Sequence, residues 1–234
     1  MREIQIGGLV SFTTIDYPGR LAAVLFLVGC PLRCAYCSNP HLLSPGDGEY
    51  APDKVSEWLR TRVGKLEAVV FSGGEALMQG DTTIEYMRTV RDMGFKIGLH
   101  TNGFYPDVLR RAIDVIDWVG LDFKATCGMY PALTGQGVAY ENMLRSLDIL
   151  IEAKKDFEVR ITCDPRYIDK DNLMEIMGIL GARGVQNVAI QKYIPHFEDE
   201  NNQTTTTQRE QFFTDVALRE KINEMFPSVI WRAG

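Results

Sequence analysis

The chain has 234 residues, of which 45% are hydrophobic and 24% charged, and a formal net charge of −6. That is enough apolar material for one large globular domain and excludes a disordered chain. The negative charge argues against a general nucleic-acid binder, which is usually basic.

The longest apolar run, 21–28, is strand-sized and far short of a membrane span. It lies too far from Met1, after Glu3 and Asp16, to be a signal peptide. A cytoplasmic protein with neither a membrane nor a nucleic-acid partner is expected.

Residues 21–27 read as a strand buried on both faces, because the run has no polar side. Residues 53–63 read as a helix, with Pro52 near its start and Val55, Trp58 and Leu59 at helical spacing. Strand 68–71 and helix 82–93 follow, the latter stopped by Gly94. Next come strand 95–99, helix 107–116 and strand 118–121. After a glycine-containing loop the alternation resumes with helix 141–154, strand 158–162, helix 172–180 and strand 187–191. Residues 195–207, acidic and then threonine-rich, read as a surface loop. Helix 208–225 and a short strand, 229–231, close the chain.

Six strands alternating with helices predict an α/β fold, a parallel sheet curled by right-handed crossovers into an open, partial barrel. No repeat or internal boundary is visible. The expectation is a single domain over 1–234, with its core at about 20–194 and a C-terminal extension at about 195–234. Sites on such sheets lie at the C-terminal strand ends.

The first strand runs into Cys30-Pro31-Leu32-Arg33-Cys34-Ala35-Tyr36-Cys37, a C-x3-C-x2-C spacing. Three thiolates this close can hold three corners of a cubane cluster and leave one iron open. Structural zinc is the alternative, with His41 completing a Cys3His set in a binding module without catalysis. The next strand ends carry Ser72-Gly73-Gly74-Glu75, Thr101-Asn102-Gly103 and Asp122-Phe123-Lys124. Gly-Gly lets a backbone approach a ligand closely, Asn-Gly also forms ordinary turns, and the charged pair could be a solvated rim. The joint pattern at successive strand ends is more specific than any one of them.

Together these residues resemble the radical S-adenosylmethionine (SAM) superfamily from about Ile6 to Gln191. The resemblance implies a partial (β/α)6 barrel holding a [4Fe–4S] cluster on Cys30, Cys34 and Cys37, with Tyr36 beside the last thiolate. It implies SAM contacts from the Ser72, Gly73, Gly74 and Glu75 turn, from Thr101 and Asn102, from Asp122 and Lys124, and from Arg160 facing the SAM carboxylate. No catalytic side chain is implied beyond the cluster and SAM.

Within the superfamily the chain resembles activating enzymes of glycyl radical enzymes. Asp16-Tyr17-Pro18-Gly19 and Asn39-Pro40 look like activators of anaerobic ribonucleoside-triphosphate reductase, and Asp122-Phe123-Lys124 looks like the D-x-K element of pyruvate formate-lyase activators. That implies reductive SAM cleavage, fed by flavodoxin or ferredoxin, and removal of a hydrogen from a backbone glycine of the partner.

Ser38 departs from the histidine often found after the third cysteine. His100 departs from an aspartate that helps hold a monovalent cation; it could supply positive charge itself or simply be hydrogen-bonded at a strand end. Cys127 and Cys163 are too few for a second cluster and read as free thiols. A 7-carboxy-7-deazaguanine synthase is the competing enzyme, but its Asp-Thr after the last cysteine is Ser38-Asn39 here.

Overall fold

A computed structural model describes residues 3–195 and 203–233. Eight strands follow chain order through one open sheet: β1 (Ile6–Thr13), β2 (Ala22–Leu27), β3 (Ala68–Gly73), β4 (Lys96–Thr101), β5 (Trp118–Asp122), β6 (Asp156–Cys163), β7 (Asn187–Lys192) and β8 (Ser228–Arg232). The helices are α1 (Pro52–Arg60), α2 (Asp81–Asp92), α3 (Pro106–Ala112), α4 (Tyr130–Thr134), α5 (Ala139–Glu152), α6 (Lys170–Ala182), α7 (Thr206–Thr214) and α8 (Val216–Met225). No helix among the described residues is long and apolar enough to cross a membrane.

The chain divides into two compact units. The first comprises Met1–Pro31, Asn39–Gly120 and Asn142–Asp156. Here β2, β3 and β4 pair in parallel, with Leu27 opposite Gly73 and Phe71 opposite Leu99. Both faces of β2 and β3 are buried, which is why their sequences are unbroken apolar runs. One face packs Ala22, Val24, Ala68, Val70, Tyr17 and Trp118 into a core, with Phe26 against it. On the other face Phe71 meets Tyr86 of α2 edge-on, with ring centroids 6.3 Å apart.

The antiparallel strand β1 has no counterpart in the sequence reading. Its residues show no period of two: Gly7 and Gly8 interrupt it, Val10 to Phe12 are exposed, and its register slips at Ile6/Gly8 and Val10/Thr13. A side chain at Gly7 would begin 2.5 Å from Leu42 Cδ2 and 2.8 Å from Val28 Cγ2, so close packing accounts for that glycine.

The second unit comprises Leu32–Ser38, Leu121–Glu141 and Phe157–Gly234. In it β6, β7 and β8 pair in parallel. Helix α6 starts at a reciprocal cap between Asp169 and Asn172. The single helix expected over 208–225 is two helices. Asp215 adopts an extended conformation, its carboxylate accepts from the Leu218 N–H, and Lys170 pairs with it, so a new helix is capped there. The loop expected over 195–207 falls largely outside the described residues.

Candidate functional site

In the first unit the C-terminal ends of β2, β3 and β4 bring Cys30, Ser72 to Glu75, and Thr101 and Asn102 onto neighbouring parallel strands. The backbone entering the cysteine loop is tied on two sides. The Gly29 and Cys30 N–H groups donate to the Leu42 and Leu43 carbonyls at 2.8 and 3.0 Å. The Gly74 N–H donates to Leu27 O at 2.9 Å and the Glu75 N–H to Gly29 O at 2.8 Å. Leu42 ends a short 3-10 turn that Pro40 opens, so Asn39-Pro40 serves to bring these carbonyls to the loop.

The two glycines of the β3 turn are demanded by the protein's own chain. A Cβ at Gly73 would lie 2.2 Å from Leu27 N, and φ there is +122°. A Cβ at Gly74 would lie 2.3 Å from Gly29 O. Glu75 is 1% exposed. Its carboxylate accepts from the Leu77 N–H at 3.1 Å, the Thr101 hydroxyl at 2.8 Å and the Asn102 N–H at 2.8 Å. One buried carboxylate therefore joins the ends of β3 and β4, with its charge met by donors.

Asn102 is aimed at a thiol of this unit. Its Oδ1 accepts from the Phe104 N–H at 3.0 Å, which fixes the amide's orientation. Its Nδ2 then donates to Cys30 Sγ at 3.7 Å. Cys30 is buried.

His100 is hydrogen-bonded at the end of β4, an arrangement that both of its readings allow. Its Nε2 lies 2.8 Å from the Asp16 carbonyl, which can only accept, so Nε2 carries a proton. The ring stands edge-on to Trp118, which also stacks on Tyr17. Thus Asp16-Tyr17-Pro18-Gly19 is a loop whose Tyr17 fills the core and whose backbone His100 anchors.

Cys34, Tyr36 and Cys37 lie in the second unit. The Arg33 and Ala35 N–H groups donate to the Thr134 and Leu133 carbonyls at 2.8 and 3.0 Å. Helix α4, which the sequence reading missed, is thus the shelf under this half of the loop. Its signals were Pro131 in its first turn and Gly135, the left-handed residue that ends it. Burial pushes the Cys34 thiol up, and the Lys124 ammonium opposes that.

Lys124 Nζ lies 3.1 Å from Asp122 Oδ2 and 5.8 Å from the Tyr36 ring centroid. Burial would lower its pKa, but the Asp122 carboxylate outweighs burial and holds the ammonium well above its ordinary value. It is charged at neutral pH. Burial pushes the Tyr36 hydroxyl up and keeps it neutral. The Tyr36 ring also stands 6.3 Å from that of Tyr193.

Arg160 is 9% exposed and is not a solitary cation. Its Nε donates to Glu158 Oε1 at 2.9 Å, while Arg232 of β8 donates to Glu158 Oε2 at 2.9 Å. Sequence reading missed both partners. The Glu-Val-Arg alternation on a strand was the available signal for Glu158. Cys127 is exposed, and Cys163 is buried with its thiol pushed up by burial. His41 is exposed, and among the described residues no three His, Cys, Asp or Glu side chains converge on one point as ligands of a single ion do.

The radical SAM superfamily model matches residues 24–189. The chain belongs to the radical SAM superfamily. The family implies a [4Fe–4S] cluster and SAM. A relative from Methanocaldococcus jannaschii, MJ1227, provisionally named a glycyl-radical enzyme activating enzyme, is 31% identical over 179 residues and 73% of each chain. The pyruvate formate-lyase-activating enzyme of Clostridium pasteurianum is 27% identical over 209 residues, 82% of each chain. Among solved structures, native anSMEcpe with bound AdoMet aligns with a TM-score of 0.66 at 13% identity, covering 86% of this chain and 61% of that one. That likeness concerns the fold, which agrees with the α/β open-barrel expectation.

Proposed function

We propose that this radical SAM enzyme activates a glycyl radical enzyme. Cys30, Cys34 and Cys37 would hold its [4Fe–4S] cluster, flavodoxin or ferredoxin would reduce it, and anaerobic ribonucleotide reductase is the partner. The observation that carries the reading is the placing of Cys30, the Gly73-Gly74 turn and Thr101-Asn102 at the ends of consecutive parallel strands, in a chain whose relatives carry activator names over most of their length.

The residues fit the cofactors. Three thiols are the soft donors an iron–sulfur cluster requires, and a cubane gives each thiolate its own iron, so they need not converge on one centre. When bound, the cluster would supply the electron for reductive cleavage of SAM, the chemistry that glycyl radical formation requires.

The chain's own groups prepare that chemistry. Asn102 directs an N–H at the Cys30 sulfur, a contact that stabilises added negative charge on a cluster. Glu75 locks Thr101 and Asn102 to the β3 turn, so the wall facing SAM is rigid before SAM arrives. Ser72 to Glu75, Thr101, Asn102, Tyr36, Asp122, Lys124 and Arg160 are assigned to SAM by the family resemblance. The permanently charged Lys124 and Arg160 suit the carboxylate of its methionine part.

The test mixes reduced protein, SAM and one candidate partner at a time without oxygen, and records the electron paramagnetic resonance spectrum. The expected result is a glycyl radical doublet on anaerobic ribonucleotide reductase that Cys34→Ala abolishes. A doublet on pyruvate formate-lyase alone would reassign the partner. No doublet on any candidate, with turnover of 6-carboxytetrahydropterin, would overturn the activator reading in favour of deazaguanine synthesis.

A further inference from the structure

We infer that Arg232, on the last strand, and Glu158 are positioning residues that hold Arg160 in its working orientation and keep this set of three net positive. The inference rests on the reading that Arg160 faces the carboxylate of SAM.

Alternate residues of a strand share a face, so Glu158 and Arg160 of β6 lie side by side. In the parallel register Thr162 stands opposite Gln191, and Gln191 opposite Arg232. Arg232 therefore belongs to that same face, although 74 residues separate it from Glu158. Arg160 itself stands opposite Ala189, whose methyl group is too short to obstruct it.

Each oxygen of Glu158 is taken by a different guanidinium at 2.9 Å, and the carboxylate is 4% exposed. The Arg232 side chain is 28% exposed and that of Arg160 10%. The outer arginine thus closes the set from the solvent side.

Stability does not explain this arrangement. Buried triads of this kind can be exchanged for apolar side chains of similar volume with little loss, because desolvating the charges consumes most of their attraction. What the triad provides is direction and charge. The bond from Nε fixes the plane of the Arg160 guanidinium. Two arginines against one glutamate also leave one net positive charge. Without Arg232 the remaining pair, Glu158 and Arg160, would carry no net charge, and the attraction this set adds for an anionic group would fall.

The experiment measures SAM dissociation constants by calorimetry on the anaerobically reconstituted protein, for wild type, Arg232→Gln, Arg232→Lys and the double variant Glu158→Gln/Arg232→Gln. Iron content and thermal midpoint are recorded for each. Arg232→Gln keeps a hydrogen-bond donor and loses the charge, so it should weaken SAM binding by about tenfold, the scale of one charge acting across ~10 Å at an effective dielectric of ~20. Arg232→Lys should restore most of the affinity. The double variant again carries one net positive charge and should bind within about twofold of wild type, recovering the loss seen in Arg232→Gln. If Arg232→Gln fails to fold, a double variant weakened about tenfold still overturns the inference.

Decarboxylated SAM should bind wild type and Arg232→Gln alike, since the group the triad serves is missing from it. Unchanged SAM affinity in Arg232→Gln, an equal loss for both ligands, or a double variant weakened about tenfold would each overturn the inference. Wild-type protein that assembles iron but binds no SAM would instead sink the activator reading on which the inference stands.

Discussion

Replacing Gly74 by alanine separates two reasons for a glycine at the β3 turn. If the glycine serves only to let SAM approach, the protein without cofactors should not notice the change. The structure says otherwise. The added carbon would sit 2.3 Å from Gly29 O, 2.7 Å from Gly29 C and 2.9 Å from Leu42 O. An ordinary C···O contact is roughly 3.3 Å, so backbone must move by roughly 1 Å. These atoms are backbone and already engaged: Gly29 O accepts from the Glu75 N–H and Leu42 O from the Gly29 N–H. The backbone dihedrals of Gly74 are open to alanine, so the whole cost is steric. Overpacking costs about 1–3 kcal/mol, and losing the Glu75 bond about 1 kcal/mol more. A loss of about 2–4 kcal/mol lowers the melting temperature of a chain this size by roughly 5–15 °C. The assay is thermal unfolding of the cofactor-free protein, with Gly128→Ala, where a Cβ meets nothing within 4 Å, as the control. A Gly74→Ala protein that melts with the wild type would refute the reasoning and return the glycine to SAM alone.

Three further outcomes are expected. Alanine at Cys30, Cys34 or Cys37 should abolish reconstitution of about four irons and four sulfides, whereas Cys127→Ala and Cys163→Ala should retain them; iron and acid-labile sulfide analysis decides. Asn102→Ala removes the N–H aimed at the Cys30 sulfur and should shift the cluster midpoint potential to more negative values in a redox titration, and an unchanged potential would remove Asn102 from that role. Asp117 governs an acid response. Burial would raise its pKa, but the Ile97 N–H and Lys96 outweigh burial and hold the carboxyl below its ordinary value of 3.8. A depressed folded pKa stabilises above the unfolded value, and that contribution is lost as pH falls through the folded value. Asp117→Asn should therefore denature more easily than wild type at pH 7, with the gap closing below about pH 3.8; a gap independent of pH in denaturation series would contradict this.

Two misreadings share one cause. β1 was invisible because Gly7, Gly8 and its exposed stretch follow no strand period; Gly7 answers to Leu42 and Val28 instead. α4 was invisible because five residues are too few for a helical stripe. Both are fixed by contacts with residues remote in sequence. His100 was legible as a residue at a strand end, but its partner, the Asp16 carbonyl, is 84 residues away.

The sequence alone determined the strand–helix alternation, because continuous apolar runs and helical stripes are local consequences of which faces are buried. It also determined the thiol spacing and the glycine turn, since covalent proximity keeps such neighbours together in any fold. Only the tertiary structure decided which donor meets Cys30 Sγ, which groups share the Glu75 carboxylate, and that Arg160 and Arg232 meet on the Glu158 carboxylate. Those choices depend on strand register, and register brings together side chains that no local pattern relates.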